Sequence, residues 1–554
     1  MLFPSLSLTT TRGQGLPEAA FAIPAWRLTS SGFTATLDGR AALDFGLARG
    51  ITIQTRGELS SSGSRLAYVA ARCIPLTLER LELDESDVVD LAGDICPVDR
   101  PLVSVADGHW RAEGALRGLD ASAPFLALNF REAEGGFTAT GGPGGLGLEA
   151  RIARATVVDA TTPLRFSPLT ATGSARLADE DWSGAFDLAH GHTVLGRLAL
   201  THDGSGGSGG LTIDAPSIVF VEGGLQPSDL SPLAEFIGPP ASGSVAFNGS
   251  IGWLAGAEGT SSGTLTIPGL DFTSPAGPVK GLSGTIDFIN LAPLTAAPGQ
   301  RLSADLLESV VPLTDIELTF GLDKAAVTVE GGDLAVAGGY VRVEPFAVPL
   351  DPNQPITGVI VLENVQLGQV IAGSGFGDKV NLDAVVSGRL PFTSDRVNGI
   401  RIAGGSLAAV QPGRLSIARE ALSGLEAGGG GEGVPPNTVQ DLAYQAMENL
   451  SFDILSAEVN SLDEGRIGVL FRIRGRHDPP LRQELRIPLA EFISREFLNR
   501  TLPLPSGTGI DLTLDTTLNL NQLIGDLLEL NRARDGRPSA EAAAPPESLP
   551  PDTP

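Results

Sequence analysis

Hydrophobic residues alternate with polar or small ones along almost the whole chain, and the alternation restarts after each Gly or Pro break. From Phe33 the odd positions read Phe33, Ala35, Leu37, Gly39, Ala41, Leu43, Phe45 and Leu47, with Thr34, Thr36, Asp38, Arg40 and Asp44 between them. The same period returns as Val245, Phe247, Ile251 and Trp253, then Ile316, Leu318 and Phe320, then Ile467, Val469, Phe471 and Ile473. A last run holds Ile510, Leu512, Leu514, Leu518 and Leu520. Successive side chains on a strand point to opposite faces, so each run predicts a strip with one apolar and one polar face. A chain built almost only from such strips is one long sheet, a sandwich or a solenoid. The functional question is what covers the apolar face.

The breaks give the organisation. Residues 1–25 read as irregular. Strands then follow from Trp26 to Leu200, with turns such as Gly141-Gly142-Pro143-Gly144-Gly145 and a flexible stretch at Gly204–Gly210. A short helix is expected at Ser228–Ile237, stopped by Pro239-Pro240, and strands resume from Ser242 to Ile417. The expected domains are an N-terminal β part over 26–240, a central β part over 241–425 and an α+β module over 435–530. That module opens at Asn437 with Val439, Leu442, Ala443, Ala446, Met447 and Leu450 on one helical face. Strands at Ser451–Val459 and Gly465–Gly475, a helix near Leu489–Leu498 and the strand Ile510–Leu520 complete it. Asn521–Asn531 reads as helix, and the proline-rich tail over 531–554 as disordered. Phrases such as GSVAFNGSIGWL (243–254), SGTLTIPGLDF (262–272) and SGTIDFINL (283–291) share a pattern without a fixed period, which argues against a regular β-helix.

Composition narrows this. In 554 residues there are 70 Gly and 40 Pro, about a fifth of the chain, which suits strands and turns rather than long helices. A net charge of −27 repels nucleic acid and anionic membrane surfaces, so nucleic-acid binding is excluded. No window reaches the roughly 18 apolar residues of a membrane helix, and the start lacks the basic region of a signal peptide. Read literally the chain is soluble and untargeted, or it is the body of a longer protein whose anchor lies elsewhere.

Catalytic constellations are scarce. His190-Gly191-His192 could place two imidazoles on one strand face, but no Cys or carboxylate at ligand spacing supports a metal. Gly142–Gly147 matches G-x-G-x-x-G only formally, with Pro143 inside it, and reads as a hairpin turn. No nucleophile elbow, P-loop or H-E-x-x-H is present. The expectation is no catalytic residue, no metal and no cofactor. The cysteines, Cys73 and Cys96, sit at the ends of a strand–loop–strand segment. Bridged, they would close a loop of about 20 residues and add about 3 kcal/mol in the chain-entropy model; unbridged, they are two buried thiols.

From Pro278 onward the segments PVKGLSGTIDFINLAPLTAAPGQRLSADLLESVVPLTDIELTFGL (278–322), GDLAVAGGYVRVEPFAV (332–348), ENVQLGQVI (363–371), LDAVVSGRLPF (382–392) and GGSLAAVQPGRLSI (404–417) follow one another. In that order they resemble the YdbH branch of AsmA-like proteins. The run QAMENLSFDILSAEVNSLDEGRIGVLFRIRGRHD (445–478) is similar to that branch's C-terminal region, once labelled a dicarboxylate-transport domain. No single motif is diagnostic; the order of several carries the match.

The resemblance implies a mainly β fold, an elongated, taco-like twisted groove of many short antiparallel strands with a small α+β C-terminal module. It implies a periplasmic carrier bridging inner and outer membranes, with phospholipid acyl chains on the apolar inside and head groups in water. An inner-membrane anchor is expected of the family and is not evident in this sequence. A small outer-membrane lipoprotein adding strands to the C-terminal edge is the implied protein partner. The expected groove lining is Phe247, Ile251, Ile286, Phe288, Ile316, Leu318, Phe320, Val341 and Val343. The edge offered to the partner is the strand with Ile510, Leu512, Leu514 and Leu518. The periplasmic setting favours the Cys73–Cys96 bridge. About 30 strands at about 4.8 Å each would reach roughly 150 Å. The alternative is a secreted structural or adhesive β-sandwich or solenoid without transport activity.

Overall fold

The alternating strips form strands, and most pair with their neighbours in sequence. The computed structural model describes residues 2–3, 5–13, 17–83, 87–274, 276–309, 311–351, 353–372, 377–395, 399–419, 436–462, 466–488, 491, 493 and 502–519. Among the described residues strand accounts for 70% and helix for 6%, so the fold is mainly β. Every pairing given below is antiparallel. The chain divides into two units, Met1–Leu270 with Thr285–Ala297, and Asp271–Gly284 with Pro298–Pro554.

In the first unit, Glu18–Ile23 pairs with Gly32–Phe45, which pairs with Ala48–Ser62. Ala48–Ser62 then pairs with both Arg65–Ala70 and Ile74–Leu81. From Ile74–Leu81 a meander runs through Val88–Cys96, His109–Ala123, Leu128–Gly142, Gly145–Asp159, Leu169–Ala178, Asp181–His190, Thr193–Asp203, Ser208–Phe220 and Gly238–Leu254. In the second unit, Leu313–Leu322 pairs with Ala326–Val336, which pairs with Gly339–Val343 and Phe346–Pro349. Gly339–Val343 continues to Ile356–Gln366, Val385–Asp395, Gly405–Ala409, Leu450–Ser461, Arg466–His477 and Gly509–Asn519.

Many strands are longer than the spacing of Gly and Pro suggests, because glycines that read as breaks lie inside them. The strand Gly238–Leu254 has 17 residues and carries Gly243, Gly249 and Gly252. Long strands are bent by bulges, where an extra residue on one strand kinks it and increases its twist. Register shifts fall at Leu116/Leu119, Arg131/Glu134 and Ile152/Ala155 on consecutive strands. Side chains fix the bulges: Asp120 Oδ1 accepts the Glu132 N–H at 2.8 Å, and Glu132 has φ 50°. In the second unit Asp271 Oδ1 accepts the N–H of Gly281, at φ 67°, also at 2.8 Å.

Three expectations are corrected. Residues 1–25 are not irregular: they hold Leu2–Phe3, Leu6–Thr10 and Glu18–Ile23 as strands. Their alternation is only a few residues long between Pro4, the glycines and Pro17, too short to register as a period. The single helix at Ser228–Ile237 is a helical turn at Pro227–Leu230 and a 3-10 turn at Pro232–Ala234, because Pro232 has no N–H to continue the ladder. Pro239-Pro240 lies in the following strand rather than outside it. The C-terminal helix is Pro436–Glu448, and the next strands are Leu450–Ser461 and Arg466–His477. The expected helices near Leu489–Leu498 and at Asn521–Asn531 and the tail lie largely or wholly outside the described residues.

The best-sealed core belongs to the second unit, where Val365, Val386, Leu450, Phe452 and Ile473 are each at most 3% exposed. Helix Pro436–Glu448 closes beside it, with Met447 buried. Among the described residues the sealed clusters of the first unit are small, such as Ala70, Ile74 and Leu102.

A one-sided apolar surface as the candidate functional site

Register carries the apolar face from strand to strand. In the first unit Ile74, Ile95, Leu116, Gly135, Ile152, Gly173, Phe186, Leu198, Ile213 and Gly249 stand opposite one another in turn, across ten strands. Beside it runs a second row: Gly114, Phe137, Ala150, Ala175, Gly184, Leu200, Leu211 and Ile251. Directly opposed side chains share a face, so both rows form one apolar surface. Most of its members are half-buried, whereas the alternate residues Ser183, Ala185, Asp187, Arg197, Ala199 and Thr201 are exposed. A sealed sandwich would bury the apolar set. Over most of these rows that has not happened.

Aromatic rings lie over glycines of the adjoining strand. A Cβ at Gly173 would meet the ring of Phe186, one at Gly141 the indole of Trp110, and one at Gly209 the indole of Trp253. In the second unit Phe392 covers Gly358 and Phe452 covers Gly413 in the same way. Each pair is directly opposed in register. Glycine is required here because the ring occupies the space of its missing side chain.

The structure sorts the expected lining residues. Phe247 is opposite Ala215 and Ile251 opposite Leu211, both on the surface just described. The Phe247 ring lies over Gly263, so Thr264 is on the other face; Thr264 Oγ1 donates to Asp287 Oδ1 at 2.8 Å. Ile286 and Phe288 flank Asp287 and therefore share the face of Phe247. In the second unit Leu318 is opposite Gly332, which is opposite Val343, and Ile316 alternates with Leu318. Val341 belongs to a row of its own: Leu334, Val341, Leu362, Gly388, Leu407, Ala457, Phe471 and Leu514. Eight of the nine are half-buried; Phe320, at 7% exposed, is a packed position.

The opposite face is polar and laced with ion pairs. Arg342 reaches Asp333 at 2.7 Å and Glu363 at 3.1 Å, and Arg474 reaches Asp511 at 2.9 Å. Hydrogen bonding and charge from Asp333, with the charge of Glu363, hold the Arg342 guanidinium above its usual range. Exposed pairs of this kind contribute little stability. They keep this face in water.

Ile510, Leu512 and Leu514 lie on Gly509–Asn519, and Ile510 and Leu512 pack on the core of the second unit. Leu518 is opposite Ile467. The strand pairs with Arg466–His477 and, among the described residues, with no other strand. Cys73 and Cys96 form a disulfide with Cα atoms 4.0 Å apart. They face each other across the strands Ile74–Leu81 and Val88–Cys96, one position beyond the Ile74–Ile95 pair. His190-Gly191-His192 is a turn, with Gly191 at φ 58°, so its imidazoles do not share a strand face. Among the described residues no group of three His, Cys, Asp or Glu could hold a metal ion. No helix among them is long and apolar enough to cross a membrane.

An open cleft of about 1850 Å³ spans the five strands from His109 to His190, bordered by Leu116, Phe137 and Ile152 as well as by Arg151 and Arg176. It exceeds the roughly 300–1,000 Å³ of ordinary small-molecule sites. The sequence did not disclose the residues that close over this surface, Phe125, Asp159 and Arg165. A charged pair flanking Pro163 is the one local signal, and charges are too frequent in this chain for it to stand out.

These features define a mainly β protein whose sheets keep one face apolar and one face wet. The sequence model of the YdbH-like family, described as intermembrane phospholipid transport protein YdbH, matches residues 13–485. The chain belongs to that family, which is a lipid-transport family and not an enzyme class. No curated protein and no solved structure matches it.

Proposed function

We propose that the chain carries phospholipids between the two membranes of the envelope, with acyl chains lying along the apolar rows and head groups in the water beside them. The observation that supports this is the half-buried state of those rows. Apolar area left accessible at about 25 cal/mol per Å² is unfavourable in an empty sheet and favourable once acyl chains cover it. No chemistry on the lipid is needed, since transfer along a surface makes and breaks only non-covalent contacts. Attachment to the inner membrane, and receipt of lipid at the outer membrane, belong to the same reading.

The last strand supports a further part of it. The Val341–Leu514 row ends on Gly509–Asn519, so a strand added to its outer edge by a small outer-membrane lipoprotein would prolong the apolar surface. Such an edge usually carries Lys, Pro or a bulge against unwanted pairing, and Gly509–Asn519 has neither Lys nor Pro.

The central test is native mass spectrometry of the purified chain with site-specific photo-crosslinking in cells. Phospholipid should co-purify, and crosslinkers at Phe247 and Phe288 should capture it while one at Asp287 should not. Equal capture on both faces, or none on either, would reject the carrier reading in favour of a closed structural sheet.

A further inference from the structure

In the first unit the two ends of the strands meet over the apolar surface. The turn Ala123–Leu128 and the loop between Asp159 and Leu169 lie at one end. Trp253 lies at the other, opposite Gly209 and beside the turn that joins Asp203 to Ser208. Leu291 is at that other end too, its N–H donating to Ser261 Oγ at 2.9 Å. Yet the Phe125 ring meets the Trp253 indole edge-on at 5.4 Å between centroids. Leu126 is buried in one cluster with Leu211 and Trp253, and Leu198, Leu200 and Ile251 pack against that cluster.

One guanidinium fastens this crossing. Arg165 Nη1 donates to the Leu291 carbonyl at 3.0 Å, and Nη2 to the carbonyls of Leu126 and Ala127 at 3.2 Å each. Its Nε donates to Asp159 Oδ1 at 2.9 Å, and Thr161 Oγ1 donates to Asp159 Oδ2 at 2.6 Å. The Asp159 side chain is wholly buried and that of Arg165 is 13% exposed. The loop is held from behind as well, where Ser231 Oγ donates to the Arg165 carbonyl at 2.6 Å.

Under this crossing one position of the rows is sealed, while Leu198, Leu200 and Ile251 beside it stay half-buried. Ile152 and Phe186 are half-buried, whereas Leu211 is 4% exposed. The seat that an acyl chain would take on Leu200, Leu211 and Ile251 is filled by the protein's own Phe125 and Leu126.

We infer that Phe125 and Leu126 form a strap in the acyl-chain seat, held shut by Arg165, and that a passing phospholipid must displace it. The inference rests on the carrier reading above for its ligand, but not for the strap itself. Asp159 and Arg165 are positioning residues: they hold the strap and touch no lipid.

The test uses the full chain with single cysteines placed in a Cys73→Ser/Cys96→Ser background of verified fold. A membrane-impermeant maleimide should label Leu211→Cys at least tenfold more slowly than Ile152→Cys. Freeing the latch with Asp159→Asn/Arg165→Gln should bring the two rates together. Phe125→Ala/Leu126→Ala, which empties the seat and leaves the latch intact, should do the same, which guards against a latch variant that misfolds. Equal rates in the parent protein would overturn the strap. Phospholipid carrying an acyl-chain photoprobe should label the Ile152 position in every variant, and Leu211 several-fold more once the strap is released. Labelling at Leu211 that release leaves unchanged would overturn the gate. Labelling at neither position, with the maleimide rates as expected, would sink the carrier reading while the strap stands.

Discussion

At the scale of single residues, two kinds of position deserve measurement. Burial alone would raise the Asp159 carboxyl's pKa, but hydrogen bonds from Arg165 and Thr161 and the nearby positive charge outweigh it and hold it below the ordinary range. A carboxylate whose folded pKa is depressed adds stability that is complete above its unfolded value of about 3.9 and is lost as pH falls through the folded one. The protection factors of amides in residues 160–168 should therefore fall below about pH 4 while the meander away from the strap keeps its protection. Asp159→Asn should have the same effect at neutral pH and cost about 3–5 kcal/mol, because it leaves the Arg165 charge buried without its partner. Unchanged thermal unfolding in that variant would refute the assignment. The second kind is a glycine beneath a ring. A Cβ at Gly173 would meet the Ala185 carbonyl and the Phe186 ring. Gly173→Ala should cost about 1–3 kcal/mol by overpacking, with Phe186→Ala as the partner in a double-mutant cycle. Additive losses in that cycle would show that ring and glycine are not coupled.

At the scale of elements, strand existence was largely legible in the chain and strand pairing was not. Alternation is local, so Val245–Trp253 and Ile316–Phe320 announce a strand and a face on their own. Register depends on which strip lies alongside, and the bulges move it: the Ile152/Ala155 shift decides that Ile152 meets Gly173. No property of Ile152 itself encodes that. The expected helix at 228–237 fails for the opposite reason, since a local breaker, Pro232, outweighs a favourable pattern. The strap was invisible because Phe125 and Trp253 are distant in sequence and meet only through the bending of the strands between them. Within the last strand, orientation sharpens a test of partner binding. The His477 N–H donates to the Thr508 carbonyl at 2.9 Å, and the register runs unbroken from there. Alternate residues of an antiparallel pair point their backbone groups outward, so Thr513 and Thr517 offer N–H groups at the free edge. Thr513→Pro should leave the strand paired with Arg466–His477 but abolish capture of an edge-binding lipoprotein in pull-downs from envelope extracts. Capture at the parental level would count against strand addition.

At the scale of the whole chain, charge and covalent linkage set the conditions of work. With 65 acidic and 38 basic residues, approach to an anionic bilayer is opposed at low ionic strength and eased as salt screens it, with a Debye length of about 8 Å at physiological salt. Binding to vesicles rich in anionic phospholipid should therefore rise between about 10 and 150 mM salt; a fall would reveal a basic docking patch. The Cys73–Cys96 bridge closes the segment between Ile74 and Ile95, and its loss should lower stability by about 3 kcal/mol. Peptide mapping without reductant should recover one linked pair, and two alkylatable thiols in the native protein would overturn it.

The glycines beneath rings and the half-buried rows bear on how freely cargo could travel. A ligand site holds its guest by shape, and leaving it costs what entering it gained. Rungs of Leu, Ile, Ala and ring-covered Gly offer nearly the same contact at every step, so a methylene leaving one finds an equivalent of about 0.8 kcal/mol at the next. The profile along such a track is close to level, and motion on it is one-dimensional diffusion biased only by supply and removal at its ends. The strap is then a step on that track, and the flux past it would be governed by how often it opens rather than by how tightly anything binds.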